Sequence, residues 1–132
     1  MKAEKKGVHL RNEYMGNAEA SFDFKWTKEA LGNVVDNAVK YSPNGGVVAL
    51  SVTEYEMYLA IGVKDTGIGI REEEIPKIFG RFYRAVEVSQ EEGVGIGLYL
   101  TREILKKENG YVKVKSRPGN GSEFLLYLHK GN

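Results

Sequence analysis

Asn33-Val34-Val35-Asp36-Asn37-Ala38-Val39-Lys40-Tyr41-Ser42 is the stretch on which the reading of this chain turns. Followed back to Lys25, it sets Ala30, Leu31, Val34, Val35 and Ala38 at helical spacing, a wide apolar stripe that must meet a core. Glu29, Asn33, Asp36, Asn37 and Lys40 fall on another face. Asparagine is a poor helix former, and an outward face ordinarily carries Glu, Lys or Gln. Positions 33, 37 and 40 are spaced by four and three, so their side chains share one side of the helix. A solvated face accounts for one asparagine. Two of them a turn apart, with a lysine, fit a hard cation and phosphates better. A neutral amide oxygen such as that of Asn37 can ligate Mg²⁺, and the Lys40 ammonium can meet a phosphate oxygen as a point charge.

Outward from this helix, residues 8–14 and 18–24 alternate apolar and polar side chains and read as strands. Asp23 or Thr27 caps the helix over residues 25–41, and the turn cluster at 42–46 stops it. Residues 47–55 and 58–64 read as two antiparallel strands. Residues 71–79 read as a short helix with an acidic first turn at Glu72, Glu73 and Glu74, limited in regularity by Pro76. Residues 85–93 are polar and acidic without a usable period and read as a mobile loop. Residues 94–109 form an amphipathic helix, with Leu98, Leu100, Thr101, Ile104 and Leu105 on the packed side and Gly110 as the stop. Residues 111–116 and 122–129 make the last hairpin, joined through 117–121. The expected architecture is a two-layer α/β sandwich: one mixed, mostly antiparallel sheet covered on one face by about three helices. Residues 1–7 read as a linker or boundary, and 8–132 as one domain.

Bulk properties narrow the function classes. The chain has 132 residues, 42% of them hydrophobic, enough for one core. Lys and Arg number 19 against 18 Asp and Glu, and a net charge of +1 argues against a purely electrostatic nucleic-acid binder. With no cysteine there is no disulfide, thiolate metal site or cysteine nucleophile. No apolar run approaches the roughly 20 residues of a membrane span, so membrane contact is not expected.

Three further motifs carry chemistry. Asp65 ends a strand and precedes Thr66-Gly67-Ile68-Gly69-Ile70. Its carboxylate can accept from an exocyclic amine such as that of adenine, while Gly67 and Gly69 let backbone approach a flat ring; Asp-Thr-Gly is also plain turn chemistry. Gly93-Val94-Gly95-Ile96-Gly97-Leu98 opens a helix and offers N–H groups to anions. It is neither the dinucleotide fingerprint nor the common phosphate loop. Phe79-Gly80-Arg81-Phe82-Tyr83-Arg84 sets two arginines three apart, suited to phosphate charge or to solvent, and Phe79 suits a core.

In this order the motifs resemble the ATP-binding catalytic domain of bacterial sensor histidine kinases, within the superfamily of gyrase, the heat-shock chaperone ATPase and the mismatch-repair ATPase. Residues 33–42 look like its asparagine box, 65–70 its first glycine box, 78–84 its phenylalanine box and 93–98 its second glycine box, with Val94 where threonine is common. Residues 119–124, with Ser122, resemble its last small box. The resemblance implies a Bergerat-type ATP-binding fold. It implies that Asn37 and Asn33 hold Mg²⁺, that Lys40 and Arg84 contact phosphate, and that Tyr41 packs near adenine. Asp65 would bind the adenine amine, and Gly69 and Ile70 would shape the base pocket. Residues 85–93 would be an ATP lid, with 95–98 its phosphate-side hinge and Gln90 within reach of phosphates or metal.

Hydrolytic members look to place a glutamate four residues before the metal asparagine; here Asn33 stands there and cannot abstract a proton. The implied activity is therefore transfer of the γ-phosphate to a histidine on a separate dimerisation and phosphoacceptor domain, with a response regulator downstream. His9 and His129 lie in predicted strands and do not fit the acceptor. The implied location is cytoplasmic, in a parent protein that can be anchored in the inner membrane. Two other classes stay open at this point: a protein-serine kinase of the anti-sigma type, and a nucleotide-binding regulatory module without transfer.

Overall fold

The computed structural model describes residues 9–12, 24–43, 45–80 and 97–130. Five strands form one sheet: β1 (His9–Asn12), β2 (Val47–Glu54), β3 (Tyr58–Asp65), β4 (Tyr111–Ser116) and β5 (Ser122–His129). Their spatial order is β1-β2-β3-β5-β4, with β1 parallel to β2 and every other pair antiparallel. Among the described residues the helices are α1 (Phe24–Tyr41), a short 3₁₀ helix (Glu72–Lys77) and α2 (Gly97–Lys107).

Alternation decides the strand faces. Ser122, Phe124, Leu126 and Leu128 of β5 are buried, and each intervening residue is half-exposed. The register sets Leu59, Ile61, Val63 and Asp65 of β3 beside Leu128, Leu126, Phe124 and Ser122. Side chains of one cross-strand row point to the same side, so these residues line one inner face. Ala30, Val34 and Ala38 of α1 and Leu105 of α2 close over that face in a single core. Phe79 joins it, edge-on to Phe124 at 6.2 Å between ring centroids. The helices are tied to each other by polar contacts: Thr27 Oγ1 donates to Glu108 Oε2 (2.9 Å), and the buried Thr101 hydroxyl lies within reach of the carbonyls of Ala30 (3.1 Å) and Gly97 (3.0 Å).

The sandwich and the mixed sheet are as the sequence implies, with local differences. Phe24 belongs to α1 rather than to a preceding strand. The region expected as a helix over 71–79 is one short 3₁₀ segment, because Pro76 cannot donate to a regular ladder. Leu100 is 38% exposed and lies off the packed side of α2. Asn109, not Gly110, takes the left-handed position that ends α2, at φ 62°. The Gly110 N–H then bonds the Leu105 carbonyl (2.7 Å) and the Asn109 N–H that of Lys106 (3.2 Å), a Schellman arrangement. Gly110 lacks a side chain for another reason: a Cβ there would run into the Tyr127 carbonyl on β5. The expected strand over 18–23, the linker at 1–7 and the loop at 85–93 lie outside the described residues.

Candidate functional site

The polar side of α1 divides as the structure folds. Glu29 and Asp36 are exposed, whereas Asn33, Asn37, Lys40 and Tyr41 are half-buried. Asn33 lies beneath the first residue of α2; a Cβ at Gly97 would come 3.7 Å from its Cβ. Among the described residues, Asn33 Nδ2 is a buried side-chain nitrogen with no hydrogen-bond partner. Such a donor costs about 1–3 kcal/mol unless something else receives it. The Lys40 Nζ stands 5.7 Å from the centre of the Tyr41 ring.

Asp65 faces this helix from the end of β3 and is 5% exposed. Its Oδ1 accepts from the N–H of Gly67 (2.8 Å) and of Ser122 (3.2 Å). Burial pushes its pKa up from the ordinary aspartate value, and these two N–H bonds pull against that rise without cancelling it. The loop after it is held very close to α1. A Cβ at Gly67 would lie 2.5 Å from the Tyr41 carbonyl oxygen. Gly69, at φ 76°, leaves no room for a side chain against the Arg117 carbonyl. Both constraints demand glycine.

The turn over 117–121 clamps that loop from the other side. The Gly119 N–H donates to the Ile68 carbonyl (2.7 Å), and the Ile70 N–H donates to Ser116 Oγ (2.8 Å). Ser116 Oγ in turn donates to the Gly121 carbonyl (2.8 Å). A hydroxyl has a single proton, so the 2.7 Å contact between Ser116 and Ser122 must be donated by Ser122. Ser122 thus serves Asp65 through its backbone, while its hydroxyl is committed to Ser116. Ser116 is the supporting residue that the sequence did not single out. It differs from any strand-end serine only in a partner 46 positions away.

The structure sets Asn33, Asn37, Lys40 and Tyr41 on one side of α1, packs Gly67 of the loop after Asp65 against Tyr41, lays Gly97 over Asn33, and puts the Ser122 N–H on Asp65. Leu98 is half-buried against the core. Arg81, Arg84, Gln90, Gly93, Val94, Gly95 and Ile96 lie outside the described residues. Phe79 is a core residue, and His129 stacks edge-on to Tyr58 at 5.2 Å, far from Asp65 along β5.

The family described as histidine kinase-, DNA gyrase B- and HSP90-like ATPase matches residues 23–132, and the chain belongs to it. Sensor protein SrrB of Staphylococcus aureus is 32% identical over 130 residues, 97% of this chain. The chain spans 22% of the length of that relative. Among solved structures, a mycobacterial sensor histidine kinase, MprB, superposes with a TM-score of 0.85 at 23% identity, over 97% of this chain and 88% of that one. The catalytic domain of histidine kinase ThkA gives 0.83 at 24% identity, over 98% and 84%. Full-length ShkA in complex with AMPPNP gives 0.83 at 23% identity, over 99% of this chain and 27% of that one. These likenesses establish the fold: an α/β sandwich of the histidine-kinase ATPase type. Among the described residues no helix is long and apolar enough to cross a membrane.

Proposed function

We propose that this domain binds Mg·ATP in the corner between α1, the loop over 65–70 and the start of α2, and presents the γ-phosphate to a histidine on another domain of a sensor kinase. The observations that carry the reading are the buried Asn33 Nδ2, without a partner among the described residues and lying under Gly97, and the buried Asp65 carboxyl, whose glycine loop packs against the end of the same helix at Tyr41. In this reading Asp65 accepts a hydrogen bond from the adenine amine with the Oδ2 that Gly67 and Ser122 leave unused. Gly67, Gly69 and Ile70 give the ring its flat wall, and Tyr41 packs near it. The Asn33 N–H₂ donates to a phosphate oxygen, and Lys40 supplies a positive charge beside it.

Asn37, with the carbonyl end of Asn33, would hold Mg²⁺; hard oxygen donors with water completing the shell suit that ion. The metal's contribution, when bound, is to neutralise phosphate charge. The chain's own groups bind and orient; none of the site residues on α1 is a carboxylate placed to activate water, because position 33 is an amide. The corner thus favours holding ATP intact until an imidazole arrives in line. Arg81, Arg84 and residues 93–96 complete the phosphate side in this proposal. The partners would be the helical phosphoacceptor domain and, later, a response regulator.

The test is to mix the domain with a matched phosphoacceptor domain and labelled ATP. Acid-labile label on the acceptor's histidine is the expected result. Acid-stable label on serine, or bound ATP with no transfer, would overturn the histidine-kinase reading.

A further inference from the structure

Behind the Asp65 corner, at the β4–β5 turn, lies a cavity of about 480 Å³ that none of Asn33, Asn37 or Lys40 lines. Its lining includes Lys64, Lys115, Arg117 and Asn120, with Glu123 between the two lysines, and is completed by Ile75, Val114 and the β4–β5 strand ends. The grouping follows from the register. Lys64 on β3 pairs with Glu123 on β5, which pairs with Lys115 on β4, so all three project from one face. Arg117 follows at the turn, one residue beyond β4.

Three cations therefore meet one carboxylate. Among the described residues Lys64, Lys115 and Arg117 form no ion pair; the pairs present join Arg71 to Glu73 and Glu74, Arg102 to Glu103, and Lys130 to Glu54. The Glu123 carboxylate leans back over the sheet, 3.5 Å from where a Cβ at Gly62 would stand, away from the turn that carries Arg117. Edge protection explains Lys115, since lysines on an outermost strand discourage pairing with another sheet. It does not explain Lys64, which is exposed on the central strand of five, nor Arg117 on the turn.

We infer that this cavity is a second anion site, taking a small phosphate-type polyanion such as pyrophosphate. Its volume lies within the range of small-ligand pockets, roughly 300–1,000 Å³. Arg117 offers a planar donor fork, the lysines offer charge, and Asn120 an exposed amide. The site also touches the corner described above through its walls. The turn that carries Arg117 holds the Ile68 carbonyl through Gly119, and Ser122 holds Asp65. An anion drawing on that turn bears on the 65–70 loop; this coupling rests on the nucleotide reading, whereas the anion site itself does not.

The experiment follows backbone amides by NMR during titration with inorganic pyrophosphate, without nucleotide or magnesium. Wild type and Asn37→Ala should both show saturable shifts at Lys64, Lys115, Arg117 and Asn120. The double variant Lys115→Glu/Arg117→Glu should lose them while keeping the remaining spectrum. If that variant does not fold, Lys64→Gln and Arg117→Gln should each weaken binding. Absence of shifts, shifts confined to residues 33–40, or shifts that survive charge reversal would overturn the site. So would a hexaglutamate peptide shifting these amides where pyrophosphate does not, which would mark an acidic-peptide surface. Loss of the site with Mg·ATP binding intact removes this inference and leaves the proposed function standing.

Discussion

The two ends of the central strands β3 and β5 are built on opposite terms. At the Asp65–Ser122 end lie a buried carboxyl and glycines that no other residue can replace, and the helix packed over this face carries an Asn33 nitrogen with no partner among the described residues. At the Tyr58–His129 end, Leu59 and Leu128 fill the inner face, and the outer face holds a cluster of rings. Tyr111 and Tyr127 stack at 4.4 Å and 10°, Tyr58 meets Tyr111 edge-on at 5.2 Å, and Lys113 stands 5.7 Å from both stacked rings. Desolvation, ahead of the neighbouring Tyr55, raises the Tyr127 hydroxyl above its ordinary pKa. The lesson is a division of labour along one sheet. The aromatic end supplies contacts that stabilise the fold, whereas the polar end holds groups whose burial costs stability, a cost that the proposed nucleotide would offset.

The largest expected effect falls between the two ends. Phe124→Ala removes a fully buried ring from the centre of the core and should cost about 3–5 kcal/mol in urea unfolding. The protein that remains folded should keep its nucleotide affinity; an affinity loss in step with stability would break the division. Gly69→Ala comes next. A Cβ there meets the Arg117 carbonyl at a positive φ, so the loop must shift, at about 2 kcal/mol or more, and both stability and nucleotide binding should fall. A variant with native affinity would show that the loop is not part of the site.

Asp65→Asn sharpens the comparison through pH. Because burial raises the pKa of Asp65 in the folded state, the folded chain binds its proton more tightly than the unfolded chain does. Wild type should therefore lose stability relative to Asp65→Asn as pH rises from the ordinary carboxylate range through the raised value, and the difference should level off above it. The same variant should weaken ATP more than GTP. A wild type that instead gains stability relative to Asp65→Asn as pH rises through that range would contradict the assignment of burial as the cause. The smallest effect belongs to the aromatic end: Tyr111→Ala, at a 37% exposed position, should cost about 1 kcal/mol in thermal unfolding and leave nucleotide binding unchanged.

Much of this was legible in the sequence, for reasons particular to each element. β4 and β5 have the bounds their alternation implies, since a single buried face leaves no freedom of register. The apolar stripe of α1 is buried at Ala30, Val34 and Ala38 as its spacing requires, with Val39 added. What periodicity could not show is contact between distant residues. It split the polar side of α1 no further, yet packing against α2 half-buries Asn33 and leaves Asp36 exposed. It could not show that Ser116 holds the Ile70 N–H, or that Asn109 rather than Gly110 would take the left-handed turn. Gly110 is reserved for a close approach to β5 that only the fold creates.

The most direct test is calorimetry of a non-hydrolysable ATP analogue, with and without magnesium, on wild type and on Asn37→Ala. Wild type should bind more tightly with magnesium, and Asn37→Ala should lose the magnesium-dependent binding while unfolding at an unchanged temperature. Equal affinities in all four titrations would contradict the assignment of Asn37 and its corner to Mg·ATP.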